Sequence, residues 1–423
     1  MSTAMGRLVE INPVVPGFED DPSAEVTFMP LECVWPDGLA DTSRREVSSS
    51  VANGYTRFRD GDILLPKITP TFEAGRVFPV SIETKFGAGT TEVHVLRAHD
   101  GVDARYIAYV CRSQPFLQDG STRLQGVGNL RRVPVDFIFR FPVEVTDLVE
   151  QRAIADYLDR ETTKINTLIE EQQPLIELLR ERRIAIRTLL STKGVDRSAS
   201  LRESGLAWTR EIPVHWTVVP LTSIARLASG HTPSRTRTEL WENCYIPWIS
   251  LNDVGSLSKR EYISETTNLI SDAGLAASSA RVLPAGTVVL SRDATVGRSS
   301  IMSIPMATSQ HFADWICGPL LNPRYLWLLF TSAMQPYFDS LTNGSTLRTI
   351  GMGLLKAFRV PLPPLDEQGR IVDEAAKQTA KIDELIAETE RFVDLSRERR
   401  AALITAAVTG EIDVREKVGT GVA

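Results

Sequence analysis

RERRIAIRTLLSTKGVD, at Arg180–Asp196, and RERRAALITAAVTGEID, at Arg397–Asp413, close two stretches of one chain that also begin alike. Sliding the sequence by 217 positions lays Glu150–Asp196 on Glu367–Asp413 without a gap, and 19 of 47 positions are identical. Both copies open on EQ, at Glu150-Gln151 and Glu367-Gln368, and both end on aspartate. A charged helix that arose twice by convergence would not hold register over such a length, so the pattern reads as a duplication.

Longer and less similar segments precede each copy, and their landmarks pair in order. RDGDILLPK (Arg59–Lys67) matches PAGTVVLSR (Pro284–Arg292), and ARYIAY (Ala104–Tyr109) matches PRYLWL (Pro323–Leu328). GST…GVGNLR (Gly120–Arg131) matches GST…GMGLLK (Gly344–Lys356), and VPV (Val133–Val135) matches VPL (Val360–Leu362). The boundaries expected are a variable domain at 1–146, a helix at 147–196, a second domain at 197–362, a second helix at 363–413 and a tail at 414–423. Within the domains DGDILL, TEVHVL, VDFIFRF, GTVVLS and FADWIC read as short strands, and RYIAYVC and RYLWLLFTSAMQPYF as helices.

In the first helical stretch Leu158, Ile165, Leu179 and Ile186 fall on one seven-residue lattice, and Ile154, Leu168, Leu175 and Leu189 on the adjacent one. That is an a/d-like seam. Asp147 and Glu150 have capping-box spacing at its start. Pro174 lies inside the pattern, where a proline removes a hydrogen bond and kinks a helix; the second copy has Arg391 there. The fold class that follows is mixed α/β, of the α+β kind: two domains alternating with two long helices.

At 423 residues with 24% charged side chains, the chain has the composition of a soluble protein of several units. No apolar run is long enough for a membrane span, and four scattered cysteines without a CxxC pair suit a reducing compartment; the expectation is cytoplasmic. Net charge is −6 overall but unevenly spread, with −5 over residues 1–149 and +3 over residues 197–366. A nucleic-acid surface on such a chain has to be a local patch.

With PLPPLDEQGRI (Pro361–Ile371) leading into a long helix and RERRAALITAAVTGEID ending it, the chain resembles the specificity subunit of type I restriction–modification systems. GDILLPKITPTFEAG (Gly61–Gly75), SGHTPSR (Ser229–Arg235), IPWISLNDV (Ile246–Val254) and NGSTLRTIG (Asn343–Gly351) add to the resemblance, which covers essentially the whole length. The resemblance implies two target recognition domains, each reading half of a split duplex DNA site. It implies long helices packed antiparallel in a pseudo-twofold repeat, setting the gap between half-sites. It also implies docking of methyltransferase and restriction subunits, which bring S-adenosylmethionine, ATP and catalysis, in a bacterial or archaeal cytoplasm. One departure stands out. The second domain opens with WTREIPVHWTVVPLTSIARL (Trp208–Leu227), whereas GRLVEINP (Gly6–Pro13) matches only the end of that stretch. A missing first strand and a displaced start are both open, with the C-terminal tail as one way to complete that edge.

DNA affinity comes from Lys and Arg on phosphates and specificity from side chains on base edges. The candidates in the first domain are Lys67, Arg76, Thr122, Arg123, Asn129, Arg131 and Arg132. Those in the second are Asn252, Asp253, Arg292, Arg298, Ser345, Thr346, Arg348 and Lys356. Asn252 and Asp253 are of the types that pair with adenine and cytosine edges. Against each stands the plain reading of a solvated surface group. Arg180, Arg182, Arg183, Arg397, Arg399 and Arg400 form a solvated or partner-facing helix stripe.

No catalytic motif is complete. NPRY (Asn322–Tyr325) has Arg324 where an adenine methyltransferase motif has its second proline, and no FxGxG accompanies it. Pro36-Asp37 with Glu83-Thr84-Lys85 mimics the order of a nuclease metal site, without a counterpart in the second half. No GxxxxGK[ST] stretch is present. The sequence therefore predicts a non-catalytic subunit needing no cofactor and no metal of its own. A helical scaffold without a DNA role explains the helices but not the paired domains with cationic glycine loops.

Overall fold

The computed structural model describes residues 2–35, 39–128, 130–144, 146–342 and 349–414. It divides into two compact units, Met1–Gln173 with Glu390–Ala423, and Pro174–Thr389. One long helix runs from Leu148 to Lys193 and the other from Leu365 to Val408, so each unit holds one mixed domain and part of each helix. Asp147 caps the first helix by accepting the Glu150 N–H at 2.8 Å. Gly194, at φ 75°, ends it in the left-handed conformation that glycine adopts without strain.

The helices are antiparallel within each unit. In the first, Ile154 and Leu158 share a core with Ile404, Ala407 and Val408, while Asn166, further along, meets Arg400. In the second, Leu190 shares a core with Ile371, Val372 and Ala375, while Arg183 meets Asp383 at 2.8 Å. The expected seam holds only in part. Leu158 and Ile165 are buried, but Leu168, Leu175 and Leu189 are exposed, and Ile176 and Leu190 are buried instead. A straight helix drifts roughly 20° per heptad against a 3.5-residue repeat, so the buried stripe moves to the next residue.

The helix is continuous across Pro174. A proline there leaves one backbone carbonyl without its helical partner, and a helix-interior proline costs about 3 kcal/mol relative to alanine. Pro174→Ala is expected to raise stability by about 1–3 kcal/mol in calorimetry; a fall would mean the packing depends on proline.

Each domain has its own sheet, and the two sheets are built alike. In the first, strands Val9–Ile11, Val93–Ala98 and Ile63–Pro66 lie side by side and antiparallel; in the second, Ala225–Ala228, Phe312–Cys317 and Val288–Ser291 do the same. The first domain has a counterpart of the strand Thr217–Pro220. Ser2–Ala4 pairs with Pro142–Glu144, as Thr217–Pro220 pairs with Arg359–Leu362. One strand reading and the pairings of GVGNLR with GMGLLK and of VPV with VPL are corrected by this. VDFIFRF is not a strand: Val135–Arg140 is a helix, because Phe137, Ile138 and Phe141 recur at helical spacing and bury together. Its counterpart is the helix Met352–Lys356, so the 217-residue offset continues upstream, and VPV and VPL are not equivalent. RYLWLLFTSAMQPYF forms two helices, Pro323–Thr331 and Gln335–Thr342, with Pro336 in the first turn of the second.

The joint between domain and helix is the best-preserved part of the repeat. Gln151 is buried; its Oε1 accepts the Asp103 N–H at 2.9 Å and its Nε2 donates to the Thr146 carbonyl at 2.9 Å. Gln368 accepts the Asn322 N–H at 2.8 Å and donates to the Leu320 and Pro363 carbonyls, both at 2.9 Å. Asp103 and Asn322 are themselves N-caps, accepting from the N–H groups of Arg105 and Arg324 at 2.9 Å. Arg105 then reaches Asp156 at 2.8 Å and Arg324 reaches Asp373 at 3.3 Å, two positions again 217 apart. Tyr106 and Tyr325 donate to the Glu144 and Pro361 carbonyls, both at 3.3 Å. The EQ signature and the RY pair are therefore two sides of one clamp, and NPRY is a helix start with its tyrosine buried.

Candidate nucleic-acid interface

Lys67 and Arg292 end equivalent strands and sit in the same backbone frame. The Lys67 N–H donates to the Glu92 carbonyl at 2.9 Å and its carbonyl accepts from Val133 N–H at 2.8 Å. For Arg292 the partners are the His311 carbonyl at 2.9 Å and the Ile350 N–H at 2.8 Å. The same strand end in each domain thus receives the segment that follows the glycine loop.

The side chains differ. In the first domain Arg132 holds Glu92 through two 2.8 Å hydrogen bonds, which keep that carboxyl below the usual range. Arg131 lies 3.9 Å from Glu73 and Arg123 3.4 Å from Asp119. The Thr122 hydroxyl donates to the Asp119 carbonyl at 2.7 Å, and Arg76 points back to the Val34 carbonyl at 3.4 Å. Exposed ion pairs are worth about 0–1 kcal/mol, so Arg123 and Arg131 exchange a carboxylate for a phosphate at little cost. The two-bond grip on Arg132 is harder to release. Lys67, half-buried, has no side-chain partner among the described residues.

In the second domain the Arg292 guanidinium braces two loops, donating to the Ile350 carbonyl at 3.1 Å and the Gln310 carbonyl at 3.4 Å. His311 Nδ1 lies 2.8 Å from Asp293, and Thr232 donates to Gln310 at 2.7 Å. Gly230 makes that approach possible: a Cβ there would lie 1.7 Å from the Thr308 carbonyl oxygen. Thr232, Gln310 and His311 were not among the residues read from sequence. Their only signal was position, since His311 occupies the place of Glu92 just ahead of the paired strand. Asn252 is exposed. Arg298 is exposed and has no side-chain partner among the described residues. Arg298→Ala is expected to weaken duplex binding by about 1–3 kcal/mol if it reads a base, or to lower the salt slope by about one if it meets a phosphate; unchanged affinity and slope in a filter-binding series would remove it.

Two candidates are placed away from any such surface. Asp253 is buried, accepting from Ser250 N–H at 2.8 Å and Thr267 N–H at 2.6 Å, so it caps a turn and reads no base. Lys356 ends the helix Met352–Lys356 and lines an open cleft with Cys317 and Leu320, at the far end of the strand Phe312–Cys317 from Arg292. Asn129, Ser345, Thr346 and Arg348 lie outside the described residues, as does Asp37 of the nuclease-like pattern.

The arginine stripe divides in two. Arg183 pairs with Asp383 and Arg400 with Asn166, positions again 217 apart, so the last arginine of each RERR clasps the opposite helix. Arg182 and Arg399 are exposed, and Arg180 and Arg397 pair one turn back with Glu177 and Asp394 at 2.7 and 3.1 Å.

The duplicated domain is joined to the helix pair by the same clamp in both units and carries a cation at matched strand ends. Residues 213–387 match the family described as type I restriction modification DNA specificity domain. The specificity subunit of the MjaIX type I restriction enzyme from Methanocaldococcus jannaschii is 32% identical over 162 residues, which is 38% of this chain and 37% of that protein. That of EcoAI from Escherichia coli is 31% identical over 210 residues, 49% of this chain and 35% of that one. The matches thus span little more than a third of each relative. A chain solved in work on complex assembly and conformational transition of the type I R-M system shares the fold, with a TM-score of 0.67 over 97% of this chain and 98% of that chain at 17% identity. The likeness to specificity subunits of type I restriction enzymes thus rests on residues 213–387 and on matches that cover less than half of this chain. Among the described residues no helix is long and apolar enough to cross a membrane.

Proposed function

We propose that this chain is the non-catalytic DNA-recognition subunit of a type I restriction–modification complex. Each domain reads one half of a split duplex site. The helix pair and its flanks carry methyltransferase and restriction subunits, which supply adenine methylation and ATP-dependent cleavage. The observation that carries the reading is the shared backbone frame at Lys67 and Arg292, repeated on two domains held by the same clamp. Two like readers on one duplex contact two separated half-sites. Arg182 and Arg399, free of the clasp that takes Arg183 and Arg400, are offered as partner-facing positions.

Methylome sequencing of the host tests this. A single split, non-palindromic motif methylated at adenine is expected. Exchange of residues 1–145 for a foreign first domain should change one half of that motif and leave the other; a change in both halves rejects independent readers. The purified chain alone should transfer no methyl group from S-adenosylmethionine.

A further inference from the structure

Residues 309–311 connect the strand Ala307–Thr308 to the strand Phe312–Cys317, and the exposed side chain among them is that of Gln310. The backbone of this turn is tied down. The His231 N–H donates to the Thr308 carbonyl at 3.1 Å, the Ser309 N–H to the Ile249 carbonyl at 2.9 Å, and the Arg292 guanidinium to the Gln310 carbonyl at 3.4 Å.

The Gln310 side chain is held as well. A carboxylate only accepts, so Asp293, 2.8 Å from His311 Nδ1, places the imidazole proton on that nitrogen. Nε2 of the neutral ring is then an acceptor, and Gln310 Nε2 donates to it at 3.2 Å. The tautomer of His311 thereby fixes which way round the amide stands. The Thr232 hydroxyl donates to its Oε1 at 2.7 Å. An amide has two N–H groups and two oxygen lone pairs, so one of each stays free. Gln310 therefore offers a donor beside an acceptor.

The same place is exposed in the first domain. Lys67 and Arg292 bond to the carbonyls of Glu92 and His311, so the residues just before these, Thr91 and Gln310, are equivalent. Both are exposed. Glu92 and His311 are each tied to a charged side chain, Arg132 and Asp293. The two domains thus present different side chains from one matched position beside the cation at the strand end.

We propose that Gln310 reads an adenine in the half-site of the second domain, Oε1 accepting from N6 and Nε2 donating to N7 in the major groove, with Thr232, His311 and Asp293 as positioning residues. The inference rests on the reading of the chain as a DNA-recognition subunit, and it adds the base and the residue that reads it. Adenine alone shows a donor next to an acceptor on that edge; guanine shows two acceptors, cytosine a donor, and thymine an acceptor with a methyl group. A guanine would set O6 against Oε1. An amide oriented before the duplex arrives loses little freedom on binding.

Methylome sequencing of a host expressing the whole complex gives the unaltered motif, and the half that survives exchange of residues 1–145 belongs to the second domain. Gln310→Ala should make one adenine of that half degenerate and leave every other position as it was. In duplex binding by the complex, exchange of this A·T pair for G·C should weaken the unaltered protein about fivefold or more and the Gln310→Ala protein less than about twofold. Thr232→Val, which keeps the shape and removes the hydroxyl, should fall between the two. Gln310→Glu, which only accepts, should move the position towards cytosine; if Gln310→Ala does not fold, this exchange decides. Nitrogen NMR of the full chain, labelled on histidine and assigned by the signal lost in His311→Gln, should find Nε2 of His311 unprotonated. An unchanged motif, relaxation at a G·C position or in the first domain's half, or a proton on Nε2 overturns the proposal. If the unaltered complex methylates no split motif, the proposed function fails and this inference with it. If it does and the Gln310 variants keep the same motif, this inference alone fails.

Discussion

Replacing Gln368 by alanine should destabilise the second unit by roughly 3–5 kcal/mol, since each buried polar group left unpaired costs about 1–3 kcal/mol. The side chain is fully buried and closes three hydrogen bonds, to the Asn322 N–H and to the Leu320 and Pro363 carbonyls. Alanine leaves all three without a partner and opens a void beside them. Gln151 closes two such bonds, so Gln151→Ala should cost less, about 2–3 kcal/mol. Urea denaturation followed by tryptophan fluorescence reports the second unit, which holds Trp216, Trp248 and Trp315 in its core. A loss under about 1 kcal/mol for Gln368→Ala would mean that water or local movement satisfies the three groups.

Asp314→Asn should have the opposite sign. Asp314 lies on the strand Phe312–Cys317, fully buried, with one oxygen accepting from Thr308 at 2.6 Å and the other without a partner. Burial raises its pKa from the ordinary 3.8 to about 7, against a smaller opposing effect of the Thr308 hydrogen bond. The folded protein therefore holds this proton over a range where the unfolded chain has lost it. The associated stability is complete below about pH 4 and declines by about 1.4 kcal/mol per pH unit up to about pH 7, where the loss levels near 4 kcal/mol. Asparagine carries no such penalty. The variant's advantage should grow between pH 4 and pH 7 and then stay constant, as read from denaturation midpoints across that range. A difference independent of pH would show that Asp314 ionises normally in the fold.

The repeat and the long helices were legible because 3.6-residue periodicity and a long ungapped offset are local properties of a sequence. The EQ identity was visible too, but its role was not, because the N-caps that Gln151 and Gln368 hold, Asp103 and Asn322, lie 48 and 46 residues away. VDFIFRF misleads because aromatic and β-branched residues favour strands until tertiary packing decides otherwise. Its three buried positions fit a helix face equally well. At the candidate interface the strand ends Lys67 and Arg292 were legible as paired landmarks. The carboxylates that occupy neighbouring arginines were not, since Glu92 is 40 residues from Arg132. Asp253 carried an unread signal: Ser250 precedes it by three, the spacing of a capping box, and both halves of that box form.

The clamp at each joint touches its domain through backbone groups, a cap and one Arg-Tyr pair, all remote from the strand ends at Lys67 and Arg292. It works as a socket that takes any plug of the right foot. Two segments whose net charges have diverged, to −5 over residues 1–149 and +3 over residues 197–366, still seat in it by the same bonds. A domain exchanged whole, with both cuts falling in the joint, would therefore keep the bonds that seat it.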